Sequence, residues 1–135
     1  MSPITSQDAP RIEVIVDEIP GVLELRASGI VTLPELREAF LTLAKIRSTR
    51  HELRTMLLDT EKVSRFGRGA VVEAARWITR NAHFFDLAVT ITRSPSLKSA
   101  ALALSACAPK LRHIVVAERT EAIERLRGGP LAMTA

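Results

Sequence analysis

Residues 57–77, LLDTEKVSRFGRGAVVEAARW, decide how this chain is to be read. Together with Arg54, Thr55 and Met56 the opening leucines make a short apolar run of the kind a buried strand shows, ending at Asp59. A charged stretch follows, and from Gly67 to Ala82 the spacing of Val71, Ala74, Ala75 and Ile78 predicts a helix with one apolar face. The connection carries Lys62, Arg65 and Arg68, although a helix N-terminus disfavours positive charge. Those cations read either as a regulatory or anion-binding site or as a solvated connector.

Working outward, RIEVIVDEI alternates Ile12, Val14 and Val16 with Glu13 and Asp17, the period of a half-buried strand. Pro20 and Gly21 mark a turn into VLELRASG, so the two runs are expected to pair as an antiparallel hairpin. TLPE at 32–35 is a capping-box pattern, and Leu36, Phe40 and Leu43 carry a helix to about Ser48. Beyond the central stretch, FDLAVTITR predicts a strand. A third helix has Ser94 as N-cap and Pro95 at its first position. LRHIVVAE gives the last strand, and TEAIERLRGG a closing helix stopped by Gly128 and Gly129. The order is ββαβαβαβα: one α/β domain over 11–128, with a mostly parallel sheet, an antiparallel first strand and covering helices. Residues 1–10 read as a loose arm and 129–135 as a tail.

A chain of 135 residues can bury a core without staples. Its 19 basic and 15 acidic residues leave a net charge of +4, a mild attraction for acidic partners. With no tyrosine and 4% aromatics, the stacking platforms of single-strand nucleic-acid binders are missing, so no nucleic-acid partner is expected. One cysteine, Cys107, permits no internal disulfide and fits a reducing compartment. The start MSPITSQDAPR does not follow the secretory pattern, and the small-apolar stretch 100–108 is too short to cross a bilayer. These features read as a cytoplasmic protein with no membrane span.

Three pieces together resemble the STAS superfamily, in its divergent SpoIIAA-like (STAS/SEC14-like) branch: GVLELRASGIVTLPELREAF, LLDTEKV with FGRGAVVEA, and HIVVAERTEAIERLRG. The resemblance implies the SpoIIAA-like fold, bacterial regulation and binding of a partner protein through the loop and helix after the middle strand. In antagonists of that family this loop carries an Asp-Ser pair whose serine is phosphorylated. Here the pair falls near Gly67 and Arg68, so the usual phosphoserine switch is not evident; Ser64, a few residues earlier, is a candidate phosphosite. The implied contact set is Lys62, Ser64, Arg65, Phe66, Arg68, Arg76, Trp77 and Arg80, with arginines orienting an acidic partner and the aromatics supplying area, although Trp77 reads equally as folded over the edge of the core with its indole N–H bonded.

The same residues carry an alternative reading: Arg65, Gly67, Arg68 and Gly69 could hold an anion, making the chain a module for an anionic nucleotide or lipid. Their spacing fits neither a P-loop nor a dinucleotide fingerprint, and no cofactor is called for. His51, His83 and His113 have no metal-ligand spacing, and there is no Gly-x-Ser-x-Gly elbow, so neither a catalytic residue nor a metal site is assigned. His113, inside an apolar strand, is expected to be a hydrogen-bonded core or edge histidine rather than a ligand. Asp59, at a strand end, is expected to cap the next segment or hold an arginine. On the third helix Leu102 and Leu104 leave an apolar side that fits self-association.

Overall fold

The computed structural model describes residues 11–107 and 110–127, apart from the side chains of Leu104, Ser105 and Cys107. The expected arm and tail lie outside the described residues. Strands β1 (Ile12–Val16) and β2 (Val22–Val31) form the antiparallel hairpin, closed by a turn in which Asp17 Oδ1 accepts from the Gly21 N–H at 3.0 Å. Helix α1 (Leu33–Thr49) opens with the reciprocal capping box of Thr32 and Glu35. Then come β3 (Thr55–Phe66), α2 (Ala70–Asn81), a 3-10 turn (Ala82–Phe84), β4 (Leu87–Ile91), α3 (Pro95–Cys107), β5 (Arg112–Val116) and α4 (Arg119–Arg127). Ser94 caps α3 as expected, its Oγ accepting from the Leu97 N–H at 3.2 Å.

The strands stand in sequence order β1-β2-β3-β4-β5, with β1 antiparallel and the rest parallel. One face packs Leu23, Leu25, Met56, Leu58 and Ala88 against Leu36, Phe40 and Leu43 of α1 and Ala70, Ala74, Trp77 and Ile78 of α2. On the other face Leu57, Val89, Ile91 and Val116 lie with Ala122 and Leu126 of α4. Alternation along each strand supplies both cores.

Two boundaries differ from the sequence reading. The middle strand does not end at Asp59 but runs to Phe66, and α2 starts at Ala70 rather than Gly67. The stretch read as a loop is a strand because β2 is long enough to pair with it, up to Val31↔Phe66. Its polar look comes from two irregularities. β3 advances from Asp59 to Lys62 while β2 advances from Arg26 to Ser28, and from Val63 to Arg65 while β2 moves from Gly29 to Ile30. Each extra residue breaks the period-two pattern by which a strand is recognised.

Candidate functional site

The outer part of β3, residues 60–66, projects beyond the rest of the sheet. β4 pairs with β3 only from Thr55↔Leu87 to Asp59↔Ile91. The pairing stops where Thr60 Oγ1 donates to the Ile91 carbonyl at 2.6 Å and Asp59 Oδ1 accepts from the Glu61 N–H at 3.0 Å. The chain after β4 turns away, the Thr92 N–H donating to the Val116 carbonyl. Between outer β3 and Thr92–Ser96 lies a cleft of about 610 Å³, lined in part by Ser64, Arg65, Phe66, Gly69, Arg93 and Ser96.

Gly67 makes the turn from β3 into α2. Its N–H donates to the Val31 carbonyl at 2.6 Å, and a Cβ there would stand 3.0 Å from that same oxygen. The amide is therefore committed to the fold, which removes Gly67 from the expected anion cradle. Gly69, the N-cap of α2, adopts φ 82°, a conformation that favours glycine. Its carbonyl accepts from the Glu73 N–H.

Of the expected contact residues, Lys62, Ser64, Arg65, Arg68, Arg76 and Arg80 are exposed. Lys62 points away from the cleft. It lines a second recess of about 390 Å³ with Glu13, Arg26, Asp59, Glu61 and Arg119, on the α4 side of the sheet. Phe66 is half-buried against the main core. In the structure Trp77 takes the core reading over the partner anchor. It is 7% exposed and stacked on Phe40, with ring centroids 4.6 Å apart and planes 6° from parallel. A side chain so enclosed anchors α2 to α1 and cannot anchor a partner. Arg76 and Arg80 instead flank an apolar groove of about 490 Å³ between α2 and α3, floored by Val71, Val72, Ala75, Ala100 and Ala103. Val72 is 55% exposed, and so is Leu102 on α3. The Leu104 side chain lies outside the described residues. Glu73 sits between Arg37 and Arg80 at 3.9 and 3.8 Å, too far for tight pairing, so most of this positive rim remains unneutralised.

Beneath outer β3, on the α4 side, lies a charged network that the sequence only half announces. Arg119 Nη1 donates to Glu24 Oε2 and to Asp59 Oδ2, both at 2.6 Å, and Arg26 Nε donates to Glu24 at 2.9 Å. Glu24 is 1% exposed. Burial pushes its carboxyl upward, yet the hydrogen bonds from Arg119 and Arg26 outweigh that and hold it below the usual carboxylate range. The Arg119 N–H also donates to Glu61 at 3.3 Å, so the start of α4 is fastened to the base of the projection. Asp59 thus both caps the next segment and holds an arginine. Arg119 and Glu24 were not among the expected site residues, since 95 residues separate them.

The three histidines are dispersed. His113 Nε2 lies 2.8 Å from Thr90 Oγ1, inside the sheet face covered by α3, and burial lowers its pKa. His51 Nδ1 lies 3.3 Å from Arg47, and the His83 ring leans on Phe84. Among the described residues no group of three His, Cys, Asp or Glu side chains could hold a metal ion, and no helix is long and apolar enough to cross a membrane.

Solved structures share this architecture. An uncharacterised protein of the DUF3478 family with a SpoIIAA-like fold, from Shewanella loihica, matches with a TM-score of 0.61 at 13% identity, over 85% of this chain and 91% of that one. The anti-sigma factor antagonist SpoIIAA in its unphosphorylated form matches with a TM-score of 0.55 at 18% identity, over 87% and 96%. The Bacillus cell fate determinant SpoIIAA in its phosphorylated form matches at 0.56 and 16%, over 86% and 99%. No protein-family model matches the sequence, and no curated protein is similar to it in sequence. The chain has the SpoIIAA-like fold.

Proposed function

We propose that this chain is a non-enzymatic regulatory domain of the STAS type, acting in bacterial signalling by binding an acidic partner protein. The observation that carries the reading is one continuous exposed surface. Val71 and Val72 border both the polar cleft beside outer β3 and the apolar groove between α2 and α3. Arg65 lines the cleft, Arg76 and Arg80 line the groove, and Arg68 is exposed in the turn between β3 and α2. An apolar strip rimmed by guanidinium groups suits a protein surface that offers both carboxylates and apolar area. Two solved structures of this fold are of an anti-sigma factor antagonist, described in unphosphorylated and phosphorylated forms, which supports a binding role under phosphate control.

Ser64 is the candidate phosphosite. It is exposed at the second irregularity of β3, next to Arg65. A phosphate there adds nearly two negative charges to a basic rim and cancels part of its attraction for an acidic partner. The paired charge reversals Arg65→Glu with Arg68→Glu, and Arg76→Glu with Arg80→Glu, are expected to abolish recovery of the native partner in a pull-down from the host. Undiminished recovery by both variants would remove this surface from consideration. The rival reading, a small anionic nucleotide or lipid in the 610 Å³ cleft, predicts a rise in Tm with such a compound and indifference to the Arg76 and Arg80 reversals.

A further inference from the structure

We infer that the open edge of outer β3 is a seat for an added strand: an extended, acidic segment of a partner protein that lies in the cleft and pairs with residues 60–66. The inference rests on the partner-binding reading and specifies which part of a partner the cleft takes.

β3 is flanked by β2 and β4 through Asp59, but beyond it β2 alone pairs with residues 60–66. Among the described residues no strand bonds to the other edge of that segment. A parallel strand turns its backbone groups alternately to its two sides, so a run of N–H and C=O groups faces outward along this edge. The outward side is the cleft itself, whose far wall is Thr92–Ser96. Open backbone groups beside a cleft of mixed polar and apolar lining suit strand addition: main-chain bonds supply affinity and pockets for alternate side chains supply selectivity.

Two features specify the occupant. Seven residues of edge span about 23 Å at the rise of a β-strand, so a segment of about seven residues fills it. Arg65 and Arg93 are exposed on opposite walls of the cleft, while Val63, Phe66, Val71 and Val72 give it apolar surface. Arg93 is shared with Glu61 and Glu118 at 3.6 and 3.5 Å, whereas Arg65 makes no salt bridge among the described residues and carries the attraction for a carboxylate. The complementary segment alternates carboxylate with β-branched or aromatic side chains. The two irregularities in β3 now gain a use. They keep the edge from presenting a flat, regular template to any passing chain.

The test uses the full chain and a panel of fluorescent seven-residue peptides alternating Glu with Val, Thr or Phe. Each is paired with a twin N-methylated at alternate residues, which removes strand donors while keeping every side chain. At least one peptide is expected to bind saturably by anisotropy. Its twin should bind at least tenfold more weakly, and hydrogen exchange should slow within residues 60–66. Arg65→Glu should weaken the same peptide about tenfold. Equal binding of peptide and twin, protection confined to other segments, or no saturable binding across the panel would overturn the inference. Concentration-dependent self-pairing through this edge would overturn it also, by naming a second copy as occupant. These readouts involve neither Arg76 nor Arg80. If the pull-down still depends on those two arginines, failure here discards strand addition and leaves the parent reading standing.

Discussion

The two halves of β3 obey different rules. Residues 55–59 are flanked by β2 and β4 and run through both cores, Met56 and Leu58 on one face and Leu57 on the other. Residues 60–66 pair on one side only, twice lose register with β2, and put Lys62, Ser64 and Arg65 into solvent. One covalent strand thus joins a segment selected for burial to a segment free to carry charge. What it teaches is that the inner half holds the fold while the outer half, tied to it at Asp59, can carry exposed charge at positions that add to neither core.

The contrast is broken most forcefully at Leu57, fully buried between the sheet and α4. Leu57→Ala is expected to cost about 2–5 kcal/mol in denaturant unfolding, whereas Val63→Ala in the outer half should cost about 1 kcal/mol. Equal losses would mean that both halves belong to one core.

Next in size is the junction. Arg119→Met removes the cation shared by Glu24 and Asp59, leaving Glu24 with Arg26 alone and the buried Asp59 carboxylate without its arginine. Breaking a buried pair from one side costs about 3–5 kcal/mol; because the Arg119 side chain is partly exposed, about 2–4 kcal/mol is expected. The same site sets an acid limit. Glu24 has a folded pKa below its ordinary value of 4.5, so the unfolded chain binds the proton more readily. The stability this contributes is complete above pH 4.5 and drains away as pH falls through the lower folded value. In Arg119→Met, Tm should begin to fall at a higher pH than in the parent chain. Parallel Tm–pH curves would show that Arg119 does not hold the Glu24 proton off.

How much of this was legible follows the same divide. The inner half announces itself as a compact apolar run, and the caps at Thr32 and Ser94 are local chemistry readable from four residues. The outer half was read as a loop because its irregularities place Val63 and Phe66 three apart on the core side, which matches no strand period. Trp77 stays open between surface and core in the sequence for a related reason. The buried stripe of α2 is Ala70, Ala74, Trp77 and Ile78, small residues that bring the helix close to the sheet, while the larger Val71 and Val72 face the grooves. The spacing suggests Val71 for the core, and only the Phe40 ring on another helix explains why the indole turns inward. The Glu24–Arg119 pair depends on topology alone, which no local pattern encodes.

A smaller effect sharpens the boundary between outer β3 and α2. Gly67→Ala puts a methyl 3.0 Å from the Val31 carbonyl oxygen and 3.3 Å from the Thr32 Cα, both backbone atoms with little room to yield. A loss of about 1–3 kcal/mol is expected, with faster exchange of the Gly67 amide as its bond to Val31 loosens. An unchanged Tm would mean that β2 gives way there, and that the projection is more pliable than its pairing implies.

The smallest expected change is the most informative about function. Arg65 and Arg68 are exposed, and neither makes a salt bridge among the described residues. Reversing both to Glu should therefore move unfolding free energy by no more than about 0.5 kcal/mol in either direction. If the outer half exists to carry charge, that near-silence must coincide with lost partner capture. A double reversal that also lowers Tm by many degrees would place these arginines in the fold after all, and the contrast between a structural inner half of β3 and a charge-bearing outer half with its turn into α2 would fail.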